Sequence, residues 1–132
     1  MNDFYYRNVD AYKLAKELSK NVYRLIRTFP QEEHFILTDQ TRRAAISIPA
    51  NVAEGLGRFS IKERIHFLDI AYGSLTETMC EMEIALDNQY ISQEDFNQIE
   101  QLASRVSMTI YGLKESLEEK KKKQNIINHE AD

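Results

Sequence analysis

The sequence predicts an all-α fold, a single bundle of four helices, and three observations carry that reading. Only 4 Gly and 2 Pro occur in 132 residues, too few turn-formers for a sheet protein of this length. Apolar residues recur at steps of three and four through four successive stretches with short breaks, the period of helices with one buried face. The balance of 42% apolar to 29% charged residues belongs to a globular chain rather than a disordered one. At this length one domain is expected, taken as residues 1–118, with 119–132 as a charged C-terminal tail.

The first helix is expected from about Asp10 to Phe29, ending at Pro30. Ala11, Leu14, Ala15, Leu18, Val22, Leu25 and Phe29 lie within roughly 60° of Leu18 at 100° per residue, a core stripe. The opposite side carries Lys13, Lys16, Lys20, Arg24 and Arg27. These also step by three and four, so they form one basic line. It is either a solvated face or an anion-binding ridge.

The second helix is expected from Thr38 or Asp39 to Gly57. Ala44, Ala45, Ala50 and Ala53 allow close approach to neighbours, and Pro49 predicts a kink. One face reads Arg43, Ser47, Asn51, Glu54 and Arg58, a polar ladder of alternating sign. If Arg43, Asn51 and Glu54 form a buried network, Glu54→Ala would strand a desolvated arginine at a cost of roughly 3–5 kcal/mol.

Ser60 with Glu63 three residues on forms a capping box that starts the third helix, expected to run to about Asn88. Its core seam is Ile61, Leu68, Ala71, Leu75, Met79, Met82 and Leu86. A second seam runs along the far side: His66, Ile70, Gly73, Glu77, Cys80 and Ile84. Only one side of a bundle helix meets the internal core, so the second seam predicts a neighbouring subunit. Ser92, with Asp95 three residues later, opens the fourth helix. Phe96, Ile99, Leu102, Ala103, Val106, Ile110, Leu113 and Leu117 line its core face. This helix is expected to fade through Glu118–Lys123, leaving the last nine residues as a mobile tail.

Charge is strongly segregated behind the net −4. Residues 1–30 hold six basic and three acidic groups, whereas 65–104 hold eight acidic groups and no basic one. A polyanion must therefore avoid the middle of the chain. One cysteine, Cys80, excludes an internal disulfide framework. No apolar run approaches the ~18 residues of a membrane span, and Met1–Tyr12 lacks the form of a signal peptide. A cytoplasmic protein is expected.

Catalytic chemistry finds little support. There is no glycine-rich phosphate loop and no paired-histidine zinc motif. Glu63 and His66 have the E-x-x-H spacing of di-iron bundles, but that motif is needed twice and pointing inward. His34 and His129 lack a sequence-evident nucleophile or carboxylate arrangement, and Cys80 is set among Glu77, Glu81 and Glu83 with no basic neighbour to activate it. No metal, cofactor or small-molecule substrate is expected. Tyr5, Tyr6 and Tyr12 either pack against the bundle end or stack on bases.

The run Arg42-Arg43-Ala44-Ala45-Ile46-Ser47-Ile48-Pro49-Ala50-Asn51-Val52-Ala53-Glu54-Gly55 is followed by Phe67-Leu68-x-Ile70-Ala71-x-Gly73-Ser74-Leu75-x-Glu77. Together these blocks resemble the bacterial four-helix-bundle proteins encoded in 23S rRNA intervening sequences, the S23-type ribosomal proteins. The likeness extends over residues 4–118 and also touches the accessory protein of diversity-generating retroelements. It implies an up-and-down antiparallel four-helix bundle, assembled as a homopentameric ring, in a family with no established catalytic activity. RNA or other nucleic acid is the partner the resemblance suggests; the charge pattern would have it met through the line Lys13, Lys16, Lys20, Arg24 and Arg27, with Arg58 and the lysines at 120–123 as helpers. The competing reading is a protein-binding or structural scaffold with no nucleic-acid role.

Overall fold

The computed structural model describes residues 4–131, so Met1–Asp3 and Asp132, the first residues of the expected domain and the last of the expected tail, lie outside it. Four helices follow one another: α1 (Asp10–Ile26), α2 (Leu37–Leu56), α3 (Ile61–Asp87) and α4 (Gln93–Ala131). Short 3₁₀ turns at Tyr5–Asn8 and Gln31–Glu33 precede α1 and α2. Each helix packs on its neighbours in sequence, and α1 closes the bundle against α4. The described residues form an all-α up-and-down four-helix bundle.

Helix α1 stops at Ile26, earlier than Phe29, because Thr28 competes for its last carbonyls. The Thr28 hydroxyl donates to Leu25 O at 2.8 Å and also lies 2.9 Å from Tyr90 O. Phe29 remains in the core beyond the helix end, against the Tyr90 ring at 5.6 Å. Pro49 is buried inside α2, which runs unbroken from Leu37 to Leu56. Ser60 and Ser92 accept from the backbone N–H of Glu63 and Asp95, each at 3.0 Å, satisfying donors that a helix start leaves free.

The core is a continuous apolar column in which Leu18, Val22, Ile48, Val52, Leu68, Met82, Val106 and Ile110 are sealed from solvent. Helix α3 departs from its expected seam. Leu68, Ala71, Leu75 and Met82 are buried, but so are Thr78, Glu81 and Ala85, while Ile61, Met79 and Leu86 are only partly so. The buried stripe is rotated toward α2, and the two helices approach closely at Gly55. A Cβ there would lie 3.0 Å from Phe67 Cβ and 3.1 Å from Arg64 O.

Helix α3 ends in a Schellman motif. Tyr90 N–H donates to Ala85 O at 2.8 Å and Gln89 N–H to Leu86 O at 3.0 Å. Gln89 adopts φ 64°, the left-handed conformation usually given to glycine. At the other end of α4, helix continues through the lysines to Ala131, with Leu117 as its last buried residue. Glu118 with Lys122 and Glu119 with Lys123 stand four apart, the order of charges that supports an exposed helix. The charged segment is therefore helical rather than an irregular tail.

Candidate nucleic-acid interface

Lys13, Lys16, Lys20, Arg24 and Arg27 are all exposed and stand in one line down the outside of α1. Among the described residues none of the five enters an ion pair. The α1 core stripe explains this: with Ala11, Ala15, Leu18, Val22 and Leu25 turned inward, the lysines are carried to the far side. Lys16 Nζ sits 6.0 Å above the Tyr12 ring, a weak cation–π contact at an exposed site.

Two arginines that the periodicity of α1 does not reach extend this surface. Arg7, from the 3₁₀ turn, borders a groove with Tyr12, Lys13, Lys16 and Lys20 that also includes Glu17. Arg105, from α4, meets Lys13 and Leu14 in a second groove that also includes Asp10. Arg105 belongs to this surface only because α4 packs beside α1, a tertiary fact that no local pattern records. Arg58, by contrast, is not part of the line. It stands two residues past the end of α2, where its Nη2 lies 2.7 Å from Glu54 Oε1 and its guanidinium 4.5 Å from the Phe67 ring centroid.

The tyrosines near the start of the chain divide. Tyr6 and Tyr12 make an edge-on pair at 4.7 Å and pack against the core. Tyr5 is exposed.

The polar ladder of α2 does not run as one network. Arg43 is paired with Asp39 at 3.0 Å on an exposed side chain, and Glu54 with Arg58. Only its middle is knitted: Asn51 Nδ2 donates to both Ser47 O and Ser47 Oγ at 2.8 Å, and Ser47 Oγ meets Ser74 Oγ of α3 at 2.7 Å. The ladder thus contributes one inter-helix hydrogen bond, flanked by two solvated ion pairs. The arginine that Glu54 holds is itself wet.

His66, Ile70, Gly73, Glu77, Cys80 and Ile84 all lie on the exposed side of α3. Nothing stands within 4 Å of a Cβ built on Gly73. Glu63 and His66 share that exposed side, and the described residues contain no cluster of three or more His, Cys, Asp or Glu able to hold a metal ion. No helix is long and apolar enough to cross a membrane.

Sequence reasoning missed Glu81. It is 4% exposed, and its Oε1 has no hydrogen-bond partner among the described residues. Burial, with the Glu77 carboxylate second, raises its pKa from 4.5 to about 7. In an acidic stretch of helix nothing local distinguishes it from a solvated carboxylate. On α4, Lys114 Nζ lies 2.7 Å from Asp69 Oδ1 of α3, and that contact raises the ammonium pKa.

Comparison with known proteins identifies the lineage. The family described as 23S rRNA-intervening sequence protein matches residues 7–112, well over half the chain. The chain belongs to that family. A solved member of the S23 ribosomal protein family from Bacteroides thetaiotaomicron VPI-5482, described as of unknown function, is similar at a TM-score of 0.73. It is 21% identical, and the alignment covers 79% of this chain and 97% of that one. At that identity the likeness speaks to the fold alone. No curated protein matches the chain significantly. The family match takes in the α1 basic line, the α2 ladder and the α3 seam together, and it stops before the exposed last turns of α4.

Proposed function

We propose that this 23S rRNA-intervening sequence protein is a non-catalytic, cytoplasmic, homo-oligomeric adaptor that binds RNA through the outer face of α1. The observation that carries the reading is the line of five exposed cations with no ion-pair partner among the described residues. Cations left unpaired keep their full charge for phosphates, whose neutralisation releases counterions and supplies most sequence-independent affinity. Self-association uses the outer seam of α3, where Ile70 and Ile84 are 38% and 42% exposed. A closed ring, which the family resemblance puts at five subunits, repeats a weak patch and multiplies its avidity.

Titration of the full-length protein with a structured rRNA fragment at several salt concentrations tests this. Five phosphate contacts per subunit should make log K fall by about 4 per decade of salt. Reversing Lys16, Lys20 and Arg24 to Glu should abolish binding. Absence of binding at about 50 mM salt would reject the RNA role. A light-scattering mass equal to one subunit would reject the ring.

A second reading is a protein-binding scaffold, favoured by the net charge of −4 and the exposed apolar side chains on α3 and α4. It predicts that the same three charge reversals leave the set of co-purifying proteins unchanged.

A further inference from the structure

The turn between α1 and α2 borders an open surface cavity of about 280 Å³, and its lining is unusual for an acidic protein. Arg27 enters from the end of α1, His34 from the turn, and Arg42 from the second turn of α2. Tyr23, Gln31 and Thr38 add three further polar side chains. No carboxylate lines it, although Glu32, Glu33 and Asp39 are all close in sequence. Glu33 is drawn off by Tyr90, whose hydroxyl donates to Glu33 Oε2 at 2.8 Å.

Asp39 is shared. Its Oδ2 lies 3.0 Å from Arg43 Nε, leaving Oδ1 a long 3.6 Å contact with Arg42 Nη1. Within this cluster one carboxylate faces two guanidiniums, so the Arg42 guanidinium that lines the cavity is only weakly paired. Arg27 has no ion-pair partner among the described residues. Guanidinium forks are suited to the oxygens of phosphate, with which they form paired, charge-assisted hydrogen bonds.

We propose that this cavity is a binding site for a phosphate monoester, distinct from the α1 line. A monoester carries roughly −1.5 to −2 charge and three acceptor oxygens, matched by donors from Arg27, His34 and Arg42. The volume exceeds what one phosphate fills, and at the low end of ligand pockets, roughly 300 Å³, it suits one nucleotide-sized unit against the aromatic wall of Tyr23 and Phe29. That unit is either a free nucleoside monophosphate or the phosphorylated 5′ end of a nucleic-acid strand. Of the α1 line only Arg27 reaches the cavity, so the site stands whether or not that line binds RNA.

Amide and side-chain NMR titration of the intact protein with 5′-AMP, inorganic phosphate and adenosine tests the site. AMP and phosphate should shift signals around Arg27, His34 and Arg42, and adenosine should not. Arg42→Ala and His34→Ala should each weaken AMP about tenfold, as expected for a lost charge-assisted hydrogen bond. Both side chains are solvent-accessible in whole or part, and unchanged circular dichroism confirms that each variant is folded.

Lys13→Glu with Lys16→Glu, which should remove RNA binding on the proposed reading, should leave AMP affinity within about twofold, because they stand eleven or more residues before Arg27 along α1, which at about 1.5 Å rise per residue exceeds the Debye length of about 8–10 Å. Failure of RNA binding and failure of this site are thereby told apart. A 5′-phosphorylated oligonucleotide that outcompetes its 5′-hydroxyl counterpart identifies a strand end as the source; AMP binding without that preference identifies a free nucleotide. The site is overturned if AMP and phosphate leave the cavity signals unmoved, if adenosine moves them equally, or if AMP affinity survives both substitutions unchanged.

Discussion

Glu81 makes stability depend on pH in a direction opposite to that of most carboxylates. It is 4% exposed, its Oε1 is unpartnered among the described residues, and its pKa is raised from 4.5 to about 7, chiefly by burial and secondly by Glu77. Between those two values the folded chain holds a proton that the unfolded chain has released. Folding stability therefore falls as pH rises through the window, and the full cost is present above pH 7. At about 1.4 kcal/mol for each pH unit of separation, ionising Glu81 costs the fold about 3 kcal/mol.

Glu81→Gln removes the titration and keeps the shape. Urea denaturation followed by circular dichroism, at fixed protein concentration because self-association adds to apparent stability, measures both proteins across the window. The variant should gain on the parent steadily as pH rises, reaching an advantage of about 3 kcal/mol near pH 8 relative to their difference near pH 4.5. Other carboxylates titrate in both proteins and cancel in the difference. Two parallel profiles, with a constant offset from acid to neutral pH, would refute the burial of this carboxyl.

Three further substitutions check local geometry. Gly55→Ala forces a methyl within 3.0 Å of Phe67 Cβ and 3.1 Å of a backbone oxygen; about 1–3 kcal/mol of overpacking less about 1 kcal/mol of helix propensity leaves a loss of about 0–2 kcal/mol in thermal or urea unfolding, and a gain in stability would contradict the close approach. Gln89→Gly relieves a left-handed non-glycine residue and should stabilise by about 0.5–1 kcal/mol, the roughly 1–2 kcal/mol conformational cost less glycine's extra freedom when unfolded. Glu54→Ala should cost at most about 0.5 kcal/mol, the worth of a solvent-exposed i,i+4 ion pair, since Glu54 and Arg58 are half exposed; a loss of several kcal/mol would mean the ladder is buried.

What was legible in the sequence is what one helix records about itself. The number of helices, the serine starts of α3 and α4, and the inward stripe of α1 depend on period and capping, which are local. Glu81 was not legible, because a carboxylate among carboxylates looks solvated until the bundle is packed over that side of α3. The α1–α2 cavity was hidden for a related reason. Arg27, His34 and Arg42 share no period, and an irregular turn brings them together. The end of α4 was misjudged by weighing its charge as a stop signal, when Glu and Lys four apart prolong a helix.

The four outer faces are not equivalent, and the difference bears on which partner each can take. Exposed large apolar side chains occur on α2 at Ile46, on α3 at Ile70, Tyr72 and Ile84, and on α4 at Met108 and Tyr111. Helix α1 has none: its outer face is polar throughout and carries the unpaired cations. Apolar surface gains by leaving water whatever covers it, whereas a lysine line loses hydration unless an anion replaces the water it gives up. Contacts between copies therefore cost least on α2, α3 and α4, and a polyanion meets least repulsion on α1, the side farthest in the bundle from the acidic length of α3. A ring built the other way round, with α1 inside its subunit contacts, would bury five cations per subunit against surfaces chosen for water avoidance. Its stability would rise with salt. Salt does not separate the two geometries, because the proposed one brings together α3 seams that carry Glu77 and lie in the acidic stretch 65–104. Reversing Lys16, Lys20 and Arg24 to Glu does, since it should leave the light-scattering mass unchanged in the proposed arrangement and alter it in the other.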